Sequence, residues 1–187
     1  VVPERAEYLR VIADEIKRVA SNLFNVAVLA HLVGFESLFM HVMEVRETMQ
    51  DVKESVFGNR MDIGANIIGG VRYDITPESA EYLKAQLDKI APQIEEITRI
   101  YRTNGSILGR TRGVGVLTHA QALDCSVVGP VARAAGIDYD VRLKAPYSAY
   151  DRLDVPVHTL PDGDVWSRAM IRLQEAATAV DLIRQCL

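Results

Sequence analysis

The sequence lacks most of the patterns that mark the common classes of catalytic, secreted and membrane protein. Its two cysteines, Cys125 and Cys186, are too far apart to form a C-x-x-C pair. They predict reduced thiols rather than a disulfide framework, and they give no basis for an iron–sulfur or nickel site made wholly by this chain. There is no signal peptide. The longest weakly polar run, residues 19–35, is interrupted by asparagine, serine and histidine, so no direct membrane span is expected.

Charge and motif content exclude further classes of function. The chain has 21 Lys and Arg against 25 Asp and Glu, a formal charge of −4, which gives no electrostatic reason to bind nucleic acid or anionic lipid. Residues 109–115 resemble a phosphate loop but lack the G-K-[ST] ending, so nucleotide binding is not expected. The histidines show no metal-ligand spacing. His31 is expected to be a hydrogen-bonded core residue, with a place on a proton path as the alternative.

Hydrophobic periodicity is what the sequence does have. Of 187 residues, 49% are hydrophobic, enough for the core of one domain. Apolar residues recur every three or four positions in four long segments, at about 3–33, 36–57, 76–103 and 165–187. These segments predict four long helices packed as an antiparallel bundle, with Thr76 and Asp164 as N-caps. The second half of the first helix is apolar nearly all round, which predicts that it is buried.

Two regions do not follow this period. Residues 64–71 contain three glycines and predict a tight packed loop or short strand. Residues 105–163 are broken up by glycine and proline. This long connection is expected to hold short helices at about 119–127 and 129–135, followed by strand or loop. The fold class predicted is therefore mainly α, a single helical domain over residues 1–187 whose irregular connection wraps one end of the bundle.

Polar residues concentrate in the long connection and just after the glycine-rich loop. The set comprises Arg72, Asp74, Arg133, Asp138, Asp140, Arg142, Tyr147, Tyr150, Asp151 and Asp154. Because guanidinium forks match carboxylates, its three arginines could bind Asp138, Asp140 or Asp151 in one network. The interpretation favoured is a structural network that pins the connection to the bundle. Holding a loop against a partner, tuning a nearby metal and lining a proton path stay open. Spacing alone demonstrates no catalytic site.

Three groups of motifs, taken in order and spacing, carry a family resemblance. They span residues 2–12 and 30–39, then 58–60 and 66–75, then 128–130 with 133–142, Pro146, Tyr147 and Tyr150. Together they resemble the nickel–iron-hydrogenase-type large subunit shared by energy-converting hydrogenases, formate hydrogenlyase and complex I. The resemblance covers essentially the whole chain. It implies that this chain is the middle of a longer large subunit.

The resemblance also implies where the chemistry lies. In hydrogenase members two C-x-x-C pairs near the ends of the subunit hold nickel and iron, and this chain has neither pair. In complex I members the histidine and tyrosine that meet the quinone lie upstream of this region. The chain alone is therefore expected to hold no metal and to be inactive. The parent subunit is expected to hold a Ni-Fe centre, with iron–sulfur clusters in a neighbouring subunit.

The same resemblance implies a setting for the chain. Its partners would be an iron–sulfur small subunit and other subunits of a membrane-anchored redox complex, on the cytoplasmic, inner face of the cell membrane. Residues that would touch partners or lie beside the metal's ligands are Arg72, Asp74, Arg133, Asp138, Asp140, Arg142, Tyr147 and Tyr150.

Two positions separate the branches of this family. Quinone-reducing relatives commonly carry an acid where Leu32 stands and an arginine where Ile67 stands. An apolar side chain cannot relay a proton, so the expected function is support of the catalytic large subunit in an energy-converting [NiFe] hydrogenase. The alternatives are a complex I-type NADH-quinone oxidoreductase subunit and a non-catalytic scaffold.

Overall fold

The structure, a computed structural model, describes residues 1–61 and 64–187 and is mainly helical. Its α-helices are α1 (Glu4–Leu32), α2 (Glu36–Phe57), α3 (Pro77–Thr103), α4 (Gly105–Thr111), α5 (His119–Asp124), α6 (Gly129–Ala134), α7 (Val141–Lys144) and α8 (Val165–Cys186). Two short strands, β1 (Asn66–Ile67) and β2 (Gly70–Val71), and a 3-10 turn at Tyr150–Arg152 complete the secondary structure of the described ranges. The four long helices and the fold class predicted from the sequence are confirmed.

Helices α1, α2, α3 and α8 pack as an up-down-up-down bundle. A short turn reverses the chain between α1 and α2. Tyr101 of α3 donates to the carbonyl of Val26 in α1, 2.5 Å away, while the start of α3 lies near the start of α1, so these two helices run parallel. Asn22 of α1 contacts Arg172 of α8, and Val11 packs with residues near the end of α8, so α1 and α8 are antiparallel. The main hydrophobic core fills the space between the four helices.

Side-chain caps set where the long helices begin. The Thr76 hydroxyl accepts from the amide of Ser79 and Pro77 opens α3, while Asp164 accepts from the amide of Ser167 at 2.7 Å and caps α8. Both predicted N-caps are confirmed. Asn104 ends α3 and also caps α4 by accepting from two amides. Helix α4, which the sequence pattern did not predict, starts directly at that point.

The glycine-rich loop forms a hairpin against the first half of α1. Strands β1 and β2 are antiparallel, with Ile67 opposite Gly70. Gly69 in the turn has a φ of +84°, which glycine adopts at low cost. Arg10 of α1 donates to the carbonyls of Ile67 (2.9 Å) and Gly70 (3.1 Å). The hairpin is therefore held by its backbone, and the side chain of Ile68 at its tip is fully exposed.

The long connection runs along the groove between α1 and α8. It starts beside the beginning of α8, where Leu117 and Gly163 are joined by a backbone hydrogen bond of 2.9 Å. It reaches the other end of the bundle, where Arg152 pairs with Glu4 at 2.8 Å, and then returns. A Cβ atom at Gly163, whose φ is +63°, would overlap the carbonyl oxygen of Leu117. Glycine is therefore required where the two ends of the connection touch.

Two expectations about the end of α1 are wrong. His31 is exposed there and pairs with Glu36 at 2.8 Å, because the last turn of α1 projects where little packs on it. Phe24 and Leu32 are exposed too, so the second half of α1 is not buried all round.

Two open points about the rest of the chain are also resolved. The stretch after α6, expected to be strand or loop, holds α7 and the 3-10 turn, and over its described residues it has no strand. No helix within the described ranges is long and apolar enough to cross a membrane.

Candidate functional site

A buried ionic network joins the long connection to α1 and α8. At its centre is Glu15, which stands on α1 among apolar neighbours and is 0% exposed. Its carboxylate accepts from Arg142 Nη1 (3.1 Å), from Arg18 Nε (3.0 Å) and from the Tyr150 hydroxyl (2.5 Å). Three donors compensate the removal of this charge from water. One α1 carboxylate therefore holds two separate parts of the connection.

Arg142 links this carboxylate to a second one. Asp140 is the N-cap of α7 and accepts from the backbone amide of Arg142 at 2.9 Å. The Arg142 side chain also donates to both Asp140 oxygens, from Nε at 3.0 Å and from Nη2 at 2.8 Å. Burial acts to raise the pKa of Asp140, but the hydrogen bonds and charge of Arg142 outweigh it and lower that pKa. Both groups are therefore held in their charged forms.

A second arginine connects the network to α8. Arg133 of α6 donates to Glu175 from Nε (2.8 Å) and from Nη2 (2.5 Å), and to the carbonyl of Tyr139 (2.9 Å). Its guanidinium also lies 3.6 Å from Asp140. Arg133 and Glu175 are both buried. Each arginine therefore bridges the connection to a different long helix, and Asp140 lies between them.

Two tyrosines complete the arrangement. Burial first, and then the charge of Glu15, raise the pKa of the Tyr150 hydroxyl, so it stays protonated and donates to that carboxylate. The ring of Tyr147 packs edge-on against Tyr150, with 4.9 Å between centroids. Burial also raises the pKa of Tyr147. The side chains of Glu15, Arg142 and Tyr150 thus form a closed set of donors and acceptors.

The chemistry open to this network is limited. Its carboxylates are charged and hydrogen-bonded, and its arginines and Tyr150 keep their protons, so it presents no nucleophile and no group poised to exchange a proton near neutral pH. What it does is hold an irregular segment at a defined position on the bundle. This geometry agrees with the pinning interpretation favoured from the sequence.

The structure brings together some of the predicted site residues and separates others. Arg133, Asp140, Arg142 and Tyr150 are in the network, and Tyr147 lies against it. The remaining predicted members, Arg72, Asp74, Asp138, Asp151 and Asp154, lie outside it at more accessible positions.

The hypothesis of one network containing Arg72 and Asp138 is therefore corrected. Arg72 follows the hairpin, which is attached to the first half of α1 rather than to the connection, and Asp74 pairs with Arg5 at 2.8 Å. Asp138 lies on the outer, solvent side of the connection. The acids that the arginines bind instead are Glu15 and Glu175, which sequence reasoning missed.

The nickel–iron centre implied by the family resemblance has no ligand set among the described residues. Cys125 is exposed at the end of α5, and Cys186 is half-buried at the end of α8 against an apolar cluster. Over residues 1–61 and 64–187 no three His, Cys, Asp or Glu side chains are grouped so that they could hold a metal ion. These residues do not fit that centre, and no step through it is derived from them.

Comparisons with known proteins place these features in context. A family model described as "Respiratory-chain NADH dehydrogenase, 49 Kd subunit" matches residues 33–187. Over its whole length the chain is 62% identical to a carbon monoxide-induced hydrogenase of Rhodospirillum rubrum, of which it covers 52%. It is 36% identical to an NADH-quinone oxidoreductase subunit of Dehalococcoides mccartyi (51% covered) and 37% identical to one of Clostridium beijerinckii (50% covered). The chain thus spans about half the length of the curated relatives it matches.

Proposed function

The chain belongs to the family of the respiratory-chain NADH dehydrogenase 49 Kd subunit, and from that premise we propose that it forms the helical support of a catalytic large subunit in a membrane-anchored energy-converting [NiFe] hydrogenase. The observation that carries this proposal is the difference in identity. A relative named as a hydrogenase shares 62% of aligned residues, whereas relatives named as quinone oxidoreductase subunits share 36% and 37%. The reaction would be proton reduction or hydrogen oxidation coupled to ion movement.

The buried network gives this support role a physical basis. A large subunit must hold loops in place around a metal centre and against its partners, and irregular segments need specific contacts to keep one position. Here Arg133 and Arg142 tie the long connection to α8 and α1 through Glu175 and Glu15. In the proposed complex this connection would help to position the metal site and the iron–sulfur subunit, while the metal ligands come from outside the described residues.

Two exposed positions favour the hydrogenase over the quinone-reducing branch. Leu32 is 74% exposed and Ile67 is 42% exposed, so each is available to whatever covers that surface. Neither can bind a quinone oxygen through hydrogen bonds or transfer a proton. Arg10, which holds Ile67, and Leu32 are about 33 Å apart along α1 at a rise of about 1.5 Å per residue. The two positions therefore act separately within this chain.

A second candidate function is quinone reduction as the large subunit of a complex I-type enzyme. The observation that favours it is the match of the 49 Kd subunit model to residues 33–187. In that case the complex would oxidise NADH and contain no nickel. The partners would again include an iron–sulfur subunit, and the complex would again lie on the inner face of the membrane.

The experiment that separates the two uses the complex made from the complete reading frame containing this chain. We expect nickel in a stoichiometric amount and hydrogen evolution from reduced methyl viologen. NADH-dependent quinone reduction by a complex without nickel would overturn the hydrogenase assignment, and a complex with neither activity would leave a non-catalytic scaffold. The 187-residue chain alone should retain no nickel and evolve no hydrogen, and stoichiometric nickel in it would contradict the support role.

A further inference from the structure

A polar cleft of about 540 Å³ opens beside the buried network, between α1, α8 and the long connection. The charged side chains on its walls are Asp14, Lys17, Arg18, Arg172 and Glu175. None of the chemistry in the proposed function uses this cleft. Cationic groups outnumber acids on its walls, so the cleft differs from the closed and balanced network next to it.

One wall of the cleft carries a buried amide with an unused donor. Asn22 is 4% exposed, and its Oδ1 accepts from Arg172 Nη1 at 3.3 Å. Because only the oxygen can accept from a guanidinium, this contact fixes which way the amide faces. Its Nδ2 then has no hydrogen-bond partner among the described residues. An unmade bond at a buried donor costs about 1–3 kcal/mol, so an acceptor at this place would recover that loss.

Arg172 itself lacks a counter-ion. It is partly buried, and within the described ranges no carboxylate oxygen lies close enough to form an ion pair with it. Glu175, the acid nearest to it along α8, is bound to Arg133 instead. Burial lowers the pKa of Arg172, with the charge of Glu175 opposing and that of Arg133 adding to the effect. A half-buried guanidinium without a carboxylate is a binding group for an anion.

The other charged walls do not supply the missing acceptor. Arg18 donates to Glu15 through Nε, and its remaining guanidinium nitrogens make no hydrogen bond to a described residue. Burial, and then the charge of Glu15, raise the pKa of Asp14, which weakens the case for a negative charge there. The cleft therefore offers more donors than acceptors, and the acids beside it are either occupied or discouraged from ionising.

We propose that this cleft binds a small anion, with Asn22 Nδ2 and the Arg172 guanidinium donating to its oxygens. The ligand class is an oxyanion or carboxylate, whose planar or tetrahedral oxygens suit a guanidinium fork and an amide together. The proposal stands on these two unpaired donors and does not depend on which redox reaction the parent subunit performs.

Titration of the ¹⁵N-labelled chain by NMR tests the site directly. Inorganic phosphate and succinate are the two probes, each added at constant ionic strength. We expect a saturable shift of the Asn22 side-chain amide and of the Arg172 Nε resonance with at least one probe. Saturation with phosphate alone identifies an oxyanion site, and with succinate alone a carboxylate site. Absence of a saturable shift with both probes overturns the proposal.

Three variants decide whether the named donors do the binding. Arg172→Gln and Asn22→Asp should each weaken binding at least tenfold, while Arg184→Gln should leave it unchanged. Arg184 is the matched control because it lies on the same helix, is exposed and pairs with Asp88 at 2.8 Å away from the cleft. Asn22→Asp keeps an acceptor for Arg172, so it tests the idea even if Arg172→Gln fails to fold. Equal weakening by Arg184→Gln would show a non-specific charge effect and sink the proposal.

Discussion

Replacing Arg142 by alanine removes the guanidinium that joins Glu15 to Asp140, and the structure sets the size of the effect. Asp140 loses the two side-chain donors at 3.0 and 2.8 Å and keeps only the backbone amide of residue 142 and the more distant Arg133. Glu15 loses one of three donors. Removing one partner of a buried ion pair typically costs about 3–5 kcal/mol, because a charge is left in the interior without compensation. We expect a loss in that range.

Arg152→Ala is the matched control for this measurement. Arg152 also pairs with a carboxylate of α1 at 2.8 Å, but its side chain is 45% exposed, against 2% for Arg142. Exposed ion pairs contribute about 0–1 kcal/mol. The two variants therefore remove the same charge and a similar hydrogen bond, and they differ mainly in burial.

Urea denaturation followed by circular dichroism at about 222 nm measures both free energies of unfolding. The dependence on urea should be unchanged, so that a shift of the midpoint reports stability. A loss of about 3–5 kcal/mol corresponds to about 6–20 °C in Tm for a chain of this size. The reasoning is refuted if Arg142→Ala and Arg152→Ala differ by less than about 1 kcal/mol. Adding Asp140→Asn to Arg142→Ala should recover part of the loss, since it removes the stranded charge.

Three further outcomes are expected. Gly163→Ala should cost about 2–5 kcal/mol in urea denaturation, from positive φ and overlap with a backbone carbonyl, whereas Gly58→Ala, with φ of +75° and open space, should cost only about 1–2 kcal/mol; equal losses would contradict this. Above about pH 10 the unfolded chain loses the Tyr150 proton before the folded chain does, so stability should fall with rising pH by up to about 1.4 kcal/mol per unit from this group, and Tyr150→Phe should flatten that slope. Burial raises the pKa of Cys186 to about 12, so at about pH 8 Ellman's reagent should react quickly with exposed Cys125 alone, and a fast thiol that survives in Cys125→Ser would contradict this.

The long helices could be predicted because their signals are local. Apolar period, the caps Thr76 and Asp164, and a proline at the first turn all lie within a few residues of the structure they determine. Helix α4 could not be predicted in this way, since its two glycines count against it by propensity. It forms because Asn104 caps it and buried Ile107 anchors it on the bundle. The error at His31 has the opposite cause, since an apolar stretch signals burial only where another element covers it.

The site was harder to predict, because its arginines are bound by acids that are far away in sequence. Asp140 could be identified as a partner because it lies two residues from Arg142 within the connection. Glu15 and Glu175 lie on the long helices, 127 residues from Arg142 and 42 from Arg133 respectively. A signal for both was nevertheless present. Each acid interrupts the apolar stripe of its helix, and a charge at a core-facing position requires a buried partner of opposite sign.

The same reasoning applies to Asn22, one more polar residue on the buried side of α1. Its amide has found one partner, Arg172, and lacks another among the described residues. Where Glu15 marks a network that the chain completes by itself, Asn22 marks one that it leaves incomplete. Polar residues at core-facing helix positions therefore fall into two kinds, and only a structure can tell them apart, by whether every donor has an acceptor. In this chain the complete kind supports the fold, and the incomplete kind predicts a ligand.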